Sequence, residues 1–388
     1  MFNLRKSFLL INLAGLLSLS GTGYAATSQN LHEDNFKGSV GSISSLNDNK
    51  SFFYISALYV QPKSDNLKYA SFVSGVQPYY QSWHLQAINP DYHPAFELGL
   101  NYALPNTSYS GAVYWTHLYS NDNASKQATT NTDLTTVEFV APPFEMSPPV
   151  FGIKRAYSKV NFEFDNVLLN VSRLVEFGPN VQAHIFGGIS VLNLNQTIDT
   201  TFSDYAGSPA TPYSYPLPPD PAFSFELQNV SRYLGAGPDI GFSFQYETPY
   251  HFGILGQFLG LLTAGTITTQ DNFTSTSTRL NNLGIGTSHQ KITAPNATQI
   301  VLGADGKLGV FYRFQKNNYA DVTISLGYRM ATYLNAISTV TPSTLVQPGT
   351  VVITPEFSTG TMAIVSTNAS THPFNFNGPF LDLKIAMD

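Results

Sequence analysis

The chain has no cysteine, two tryptophans and five methionines, and charged residues are only 11% of its 388 positions, less than half the usual share of about 25%. Without cysteine there is no disulfide framework and no thiol chemistry, so stability has to come from a large sheet or from its surroundings. The formal charge is −6 and basic residues do not cluster, which removes support for nucleic-acid binding. Beyond the amino terminus no segment offers about 18 uninterrupted apolar residues, so no transmembrane helix is expected. The nearest candidate, His251 to Thr268, is broken by Gln257, glycines and threonines and reads as a strand. Catalytic signatures are also missing: there is no G-x-S-x-G elbow, no phosphate-binding P-loop and no H-E-x-x-H, and the eight histidines are scattered with none at metal-ligand spacing. No catalytic residue, metal or cofactor is expected.

What is abundant is aromatic, with 28 Phe and 22 Tyr, and it is arranged with a two-residue period. From Lys307 to Met330, Leu308, Val310, Tyr312 and Phe314 alternate with Lys307, Gly309, Phe311, Arg313 and Gln315. After a polar turn, Val322, Ile324, Leu326 and Tyr328 alternate with Asp321, Thr323, Ser325, Gly327 and Arg329. A strand places alternate residues on opposite faces, so this hairpin has one apolar face and one polar face. A soluble sandwich would bury the apolar face; a membrane barrel turns it to lipid and keeps the polar face in the lumen.

The amino terminus favours the membrane. Arg5 and Lys6 precede a mostly apolar run from Ser7 to Leu19, and small residues lead to Ala25, the pattern of a cleaved bacterial secretory signal with its cut after Ala25. Its loss takes the formal charge to about −8 by the same counting. Residues 26–51, polar and rich in Asn and Ser, are expected to be a flexible periplasmic lead to a barrel over 52–388.

The rest of the chain reads as ten strands: Phe52–Pro62, Pro94–Tyr102, Tyr109–Ser120, Tyr157–Glu176, Val181–Asp199, Phe223–Glu247, His251–Gln270, Gln299–Gln315, Tyr319–Thr339 and Pro373–Met387. Five long connections fall at one end and four short turns at the other, and a bend is expected at Gly235-Ala236-Gly237-Pro238. Such sorting of loops by length marks an outer-membrane barrel, with long external loops and short periplasmic turns. An even strand number closes an antiparallel up-and-down barrel without an edge. One more hairpin hidden in a long loop would make twelve. Several strands exceed the 9 to 11 residues that cross a bilayer and should project past it. Tyr59, Tyr102, Tyr109, Tyr246, Tyr250, Phe252, Tyr312 and Tyr319 sit where an interfacial girdle would be.

If apolar residues face lipid, Phe96, Leu98 and Leu100 put Glu97, Gly99 and Asn101 inside. By the same rule Val160, Phe162 and Phe164 put Asn161, Glu163 and Asp165 inside, and Ile240, Phe242 and Phe244 put Asp239, Gly241, Ser243 and Gln245 inside. Leu381, Leu383 and Ile385 do so for Asp382 and Lys384. With Lys307, Arg313, Asp321 and Arg329 the lumen then carries six acids and four bases. Such a lining either tunes a hydrated channel or pairs across the barrel and plugs it. His117, His184 and His251 lie on strands near serines and are the residues a lipid-modifying enzyme would use.

Tyr157 to Asn195, Tyr233 to Gly265, Lys307 to Tyr328 and the ending Asn377-Gly378-Pro379-Phe380-Leu381-Asp382-Leu383-Lys384 resemble the Legionella-type major outer membrane protein family of pore-forming barrels. The resemblance covers most of the chain and carries no catalytic residue. It implies a surface-exposed, porin-like protein of the bacterial outer membrane that forms a narrow passive channel for small hydrophilic solutes or ions; the alternative is a closed structural or adhesive barrel acting through its loops. Its expected partners are outer-membrane lipid, the barrel-assembly machinery and a host-cell surface, with homo-oligomerisation left open and no nucleic acid. Two departures stand out. Without cysteine the chain cannot be cross-linked as the best-known member is, and its final Met387-Asp388 replaces the usual terminal aromatic, so insertion is expected to depend on other strand signals.

Overall fold

The computed structural model describes residues 50–76, 80–129, 137–143, 153–177, 180–205, 219–282, 286–316, 320–346 and 362–387. The segment expected to be a signal sequence, nearly all of the polar lead and Tyr319 lie outside them. The elements are β1 (Ser51–Lys63), β2 (Lys68–Val76), β3 (Tyr80–Ala87), β4 (His93–Ala103), β5 (Tyr109–Gln127), β6 (Val137–Ala141), β7 (Ile153–Glu176), β8 (Val181–Tyr205), β9 (Asp220–Glu247), β10 (Phe252–Thr276), α1 (Thr278–Asn282), β11 (Thr287–Thr293), β12 (Ala297–Lys316), β13 (Ala320–Val346) and β14 (Met362–Met387).

Ten strands close an antiparallel ring in the order β1, β4, β5, β7, β8, β9, β10, β12, β13, β14 and back to β1. The ring satisfies every strand through its neighbours, which is what a sheet in lipid requires. The extra strands stay out of it: β2, β3 and β6 form a separate three-stranded sheet, and β11 pairs only with β10. The expectation of ten strands therefore holds, and the long connections carry structure of their own. The turn from β4 to β5 is closed by the Leu104 amide donating to the Tyr109 carbonyl, with Asn106 left-handed at φ 59°, a conformation asparagine tolerates well.

At Gly235 to Pro238 no bulge interrupts the strand, since β9 keeps one register with β8 from Tyr246 to Ser224. The glycine there serves close approach instead. A Cβ on Gly237 would stand 2.0 Å from the Leu262 carbonyl oxygen of β10.

The ring strands reach 28 residues in β9 and 25 in β8 and β10, about twice what a bilayer needs, and their two halves differ in polarity. Near the short turns the outward residues are apolar, such as Val167, Leu169 and Val171 on β7 and Ile185, Ile189 and Val191 on β8. Farther out the same face carries Asp165, Glu163, Asn161 and Lys159, paired with Asn193, Asn195, Thr197 and Asp199. Inside, the order reverses. Polar residues such as Asn101, Ser110 and Ser325 share the short-turn half with Phe311 and Phe380, while Val160, Phe162, Phe164, Leu192, Leu194, Phe202 and Phe225 are fully buried in the outer half. The geometry of alternation never changes; the apolar set moves from the outer to the inner face, as a change outside from lipid to water would require.

This corrects the facing expected for β7. Phe162 and Phe164 meet Phe374 of β14 at ring distances of 5.3 and 5.5 Å, and those strands are not neighbours in the ring, so the contact crosses the lumen. Glu163 and Asp165, expected inside, are on the outer surface, as is Asn161.

Candidate functional site

Four charged side chains meet inside the barrel where its polar and apolar interiors join. The inward positions of β4, β12 and β13 bring Glu97, Asp305, Lys307 and Arg329 to one level. Lys307 Nζ is 2.6 Å from Glu97 Oε1, Arg329 Nη1 is 2.7 Å from Glu97 Oε2, and Arg329 Nη2 is 2.6 Å from Asp305 Oδ2. Thr116 of β5 donates to Glu97 at 2.6 Å, and Tyr54 of β1 accepts from Lys307 at 3.0 Å. All four charged side chains are at most 8% exposed. Isolated charges would cost several kcal/mol each here, and the pairing with added hydrogen bonds is what makes their burial tolerable.

Two layers adjoin this network. On the outer side Arg329 lies over the Phe376 ring at 5.4 Å, and Phe376 belongs to a cluster with Phe162, Phe164, Phe374 and Tyr333, its centroids 5.1 to 6.4 Å apart. These rings come from β7, β13 and β14 and fill the outer lumen. Each fully buried phenylalanine contributes about 1.5 to 3 kcal/mol through burial. Toward the short turns lies a cavity of about 160 Å³, walled by Glu97, Lys307, Asn101, Ser110, His184 and Lys384 among others.

Of the other expected residues, Asn101, Asp239, Arg313, Asp321, Asp382 and Lys384 occupy the inner face. Asn101 donates to the Lys50 carbonyl oxygen at 3.3 Å, and Asp321 pairs with Lys50 Nζ at 3.3 Å. Arg313 pairs with Glu247 at 3.3 Å. Lys384 Nζ stands 4.1 Å over the Phe52 ring. Asp239 and Asp382 are buried on the inner face, Asp239 in register with Gly188, itself opposite Asn170. Asp165 holds instead an outer-surface cluster, with His117 Nδ1 at 2.8 Å and the Trp115 indole donating at 3.1 Å. Asp305 was missed, although the alternation carried two residues back from Lys307 places it on the same face. The aromatic layer was missed because Phe162 and Phe164 were assigned to lipid and no facing was given to Tyr333, Phe374 and Phe376.

The three histidines picked out from the sequence do not converge. His117 faces outward, His184 borders the inner cavity and His251 sits in the β9–β10 turn, 3.2 Å from Glu247. Among the described residues no group of three or more His, Asp or Glu side chains is placed to hold a metal ion, and no helix is long and apolar enough to cross a membrane. Around the outside of the short-turn half, Tyr102, Tyr109, Tyr246, Tyr250, Phe252 and Tyr312 are exposed, as an interfacial girdle requires.

Residues 47–387 match the family described as Legionella pneumophila major outer membrane protein precursor. No curated protein matches the sequence. Among solved structures, the outer membrane protease OmpT from Escherichia coli aligns at 10% identity over 89% of this chain and 99% of that one, with a TM-score of 0.39. A Pseudomonas aeruginosa FadL homologue aligns at 8% over 87% and 90%, with a TM-score of 0.30. Likeness this weak carries no argument about what the barrel does.

Proposed function

Because the chain belongs to the Legionella major outer membrane protein family, we propose that this outer-membrane barrel is closed at rest and acts through its water-exposed outer half and long external connections. The observation that carries this reading is the pair of barriers in series, the ion network of Glu97, Asp305, Lys307 and Arg329 and the ring cluster stacked on it. Ten strands enclose a lumen close to the size that side chains can fill, whereas open channels are the habit of barrels of about sixteen or more. In this reading lipid surrounds the apolar band, the assembly machinery acts during insertion, and ligands on another cell's surface meet the external half.

The cavity on the short-turn side, walled by charged residues such as Glu97, Lys307 and Lys384 together with apolar ones such as Phe186 and Leu255, favours a second reading, a porin-like narrow passage for small ions or hydrophilic solutes. It supplies half of a hydrated path, and the other half requires the network and the rings to part. Single-channel recording of refolded protein, after heated and unheated samples on a denaturing gel have confirmed the folded barrel, separates the two. The closed reading expects a silent bilayer. Discrete steps whose size or ion preference changes in Arg329→Gln would replace it with the channel.

A further inference from the structure

At the outer mouth of the barrel a hydroxyl, an imidazole and a carboxylate stand in line. Ser370 and His372 are two residues apart on β14, which puts them on one face of the strand. Thr339 of β13 is opposite Ser370 in the ladder. The last pair between β1 and β14 is Lys63 with Asn375, and the connection after β1 carries Asp65 to His372. His372 Nδ1 is 2.7 Å from Asp65 Oδ1, and His372 Nε2 is 2.9 Å from Ser370 Oγ. The Thr339 hydroxyl lies 2.8 Å from the same Nε2 and 3.0 Å from Ser370 Oγ. The imidazole is partly buried and the carboxylate open to solvent.

The chemistry of the three groups fixes their roles. An ionised carboxylate only accepts, so the neutral imidazole keeps its proton on Nδ1, facing Asp65, and leaves Nε2 as an acceptor within reach of both the Ser370 and the Thr339 hydroxyl. That is the arrangement in which a serine loses its proton as it attacks, with the carboxylate holding the ring in the right tautomer.

We propose that Ser370, His372 and Asp65 form a hydrolytic site for carboxylic esters, independent of whether the lumen opens. Ser370 Oγ bonds to the ester carbonyl carbon as its proton passes to His372 Nε2. The carbon–alkoxy bond then breaks, and the leaving alkoxide takes that proton as an alcohol. Water attacks the acyl-serine, giving its proton to Nε2, and the serine recovers a proton as the carboxylic acid leaves. The sum is ester and water giving acid and alcohol. An ester is the acyl class that suits the site, because its alkoxide leaves more readily than an amine.

The test uses the refolded full-length chain in detergent, with p-nitrophenyl butyrate as substrate and a fluorophosphonate probe whose attachment is mapped by peptide mass. The expected result is turnover and labelling at Ser370. Both vanish in Ser370→Ala and fall by about 100-fold or more in His372→Gln, the size of a general-base contribution. Asp65→Asn loses activity while Asp65→Glu retains part of it, a difference that mere loss of packing would not give. Thr371→Ala, whose side chain is exposed on the opposite face, leaves both readouts unchanged. A folded wild-type barrel that neither labels at Ser370 nor turns over ester overturns the site, as does turnover that survives Ser370→Ala. Equal activity in Asp65→Asn and Asp65→Glu removes the carboxylate from it. If a variant fails to fold, the mapping on wild type still decides.

Discussion

Asp271 is a carboxylic acid with no access to solvent. It lies on the inner face of β10 in the outer half, beyond the apolar band; Asn229 of β9 donates to one of its oxygens, and the other has no partner among the described residues. Burial pushes its acid up to about 7. The unfolded chain would ionise it near the ordinary value of about 3.9, so between about pH 4 and 7 the folded state binds the proton more tightly. Stability from this group is therefore full below about pH 4, falls as pH rises to about 7, and stays low above. Asp271→Asn keeps an acceptor for Asn229 and removes the penalty. Unfolding midpoints in urea should show the variant more stable by a few kcal/mol at pH 8, since each tenfold difference in proton affinity between the folded and unfolded chain is worth about 1.4 kcal/mol, and equal to wild type at pH 4. An equal difference at both would mean that Asp271 does not titrate in this way. The network predicts the opposite kind of change. Glu97→Gln leaves Lys307 and Arg329 with one fewer counter-charge and should cost about 3 to 5 kcal/mol at any pH where both are charged. The same change in Lys307→Met should cost less, because one of the two stranded cations is gone; equal costs in the two backgrounds would show that Glu97 and Lys307 are not coupled.

A single strand carries both solvents, and β7 shows how. Its inner half presents Val167, Leu169 and Val171 outward, and its outer half presents Asp165, Glu163 and Asn161 on that same face. Arginine should therefore be tolerated or not according to height along a strand. Leu308→Arg, replacing an outward residue that is 61% exposed in the middle of the apolar band, should cost about 2 to 4 kcal/mol on transfer of the charge to lipid. Thr197→Arg, on the outward face of β8 between Asn161 and Val230, should cost close to nothing. Comparing the urea midpoints of the two in lipid vesicles checks the placement of the band, and equal costs would refute it. The β7 sequence held this information. Val160, Phe162 and Phe164 occupy even positions and Val167, Leu169 and Val171 odd ones, and no bulge separates them in the ladder with β8. A change of hydrophobic phase without a bulge means a change of medium, and a rule that sends every apolar residue to lipid cannot see it. That rule served for Phe96, Ile240 and Leu381, which lie within the band. Strand number and the division into long and short connections were legible because they depend on local pattern. The meeting of His372 with Asp65 was not, since the two are 307 residues apart and joined only by closure of the ring.

At the scale of the whole barrel, the ring cluster and the ion network block the same path one after the other. Resistances in series add, so relieving one should leave the other in control. Phe374→Ala removes a ring that touches Phe162, Phe164, Tyr333 and Phe376, at a cost of about 3 to 5 kcal/mol, yet the network beneath it still spans the lumen. Glu97→Gln loosens the network but leaves the rings in place. Each single variant should insert as a folded barrel, shown by its heat-dependent gel mobility, and stay silent in a planar bilayer. Only the double variant should pass current, and its path would run through the cavity on the short-turn side. Current from Phe374→Ala alone would mean that the network is permeable as it stands, so that the rings are the true gate. Silence in the folded double variant would place a further barrier in the lumen, and would leave the external half as the part through which this barrel acts.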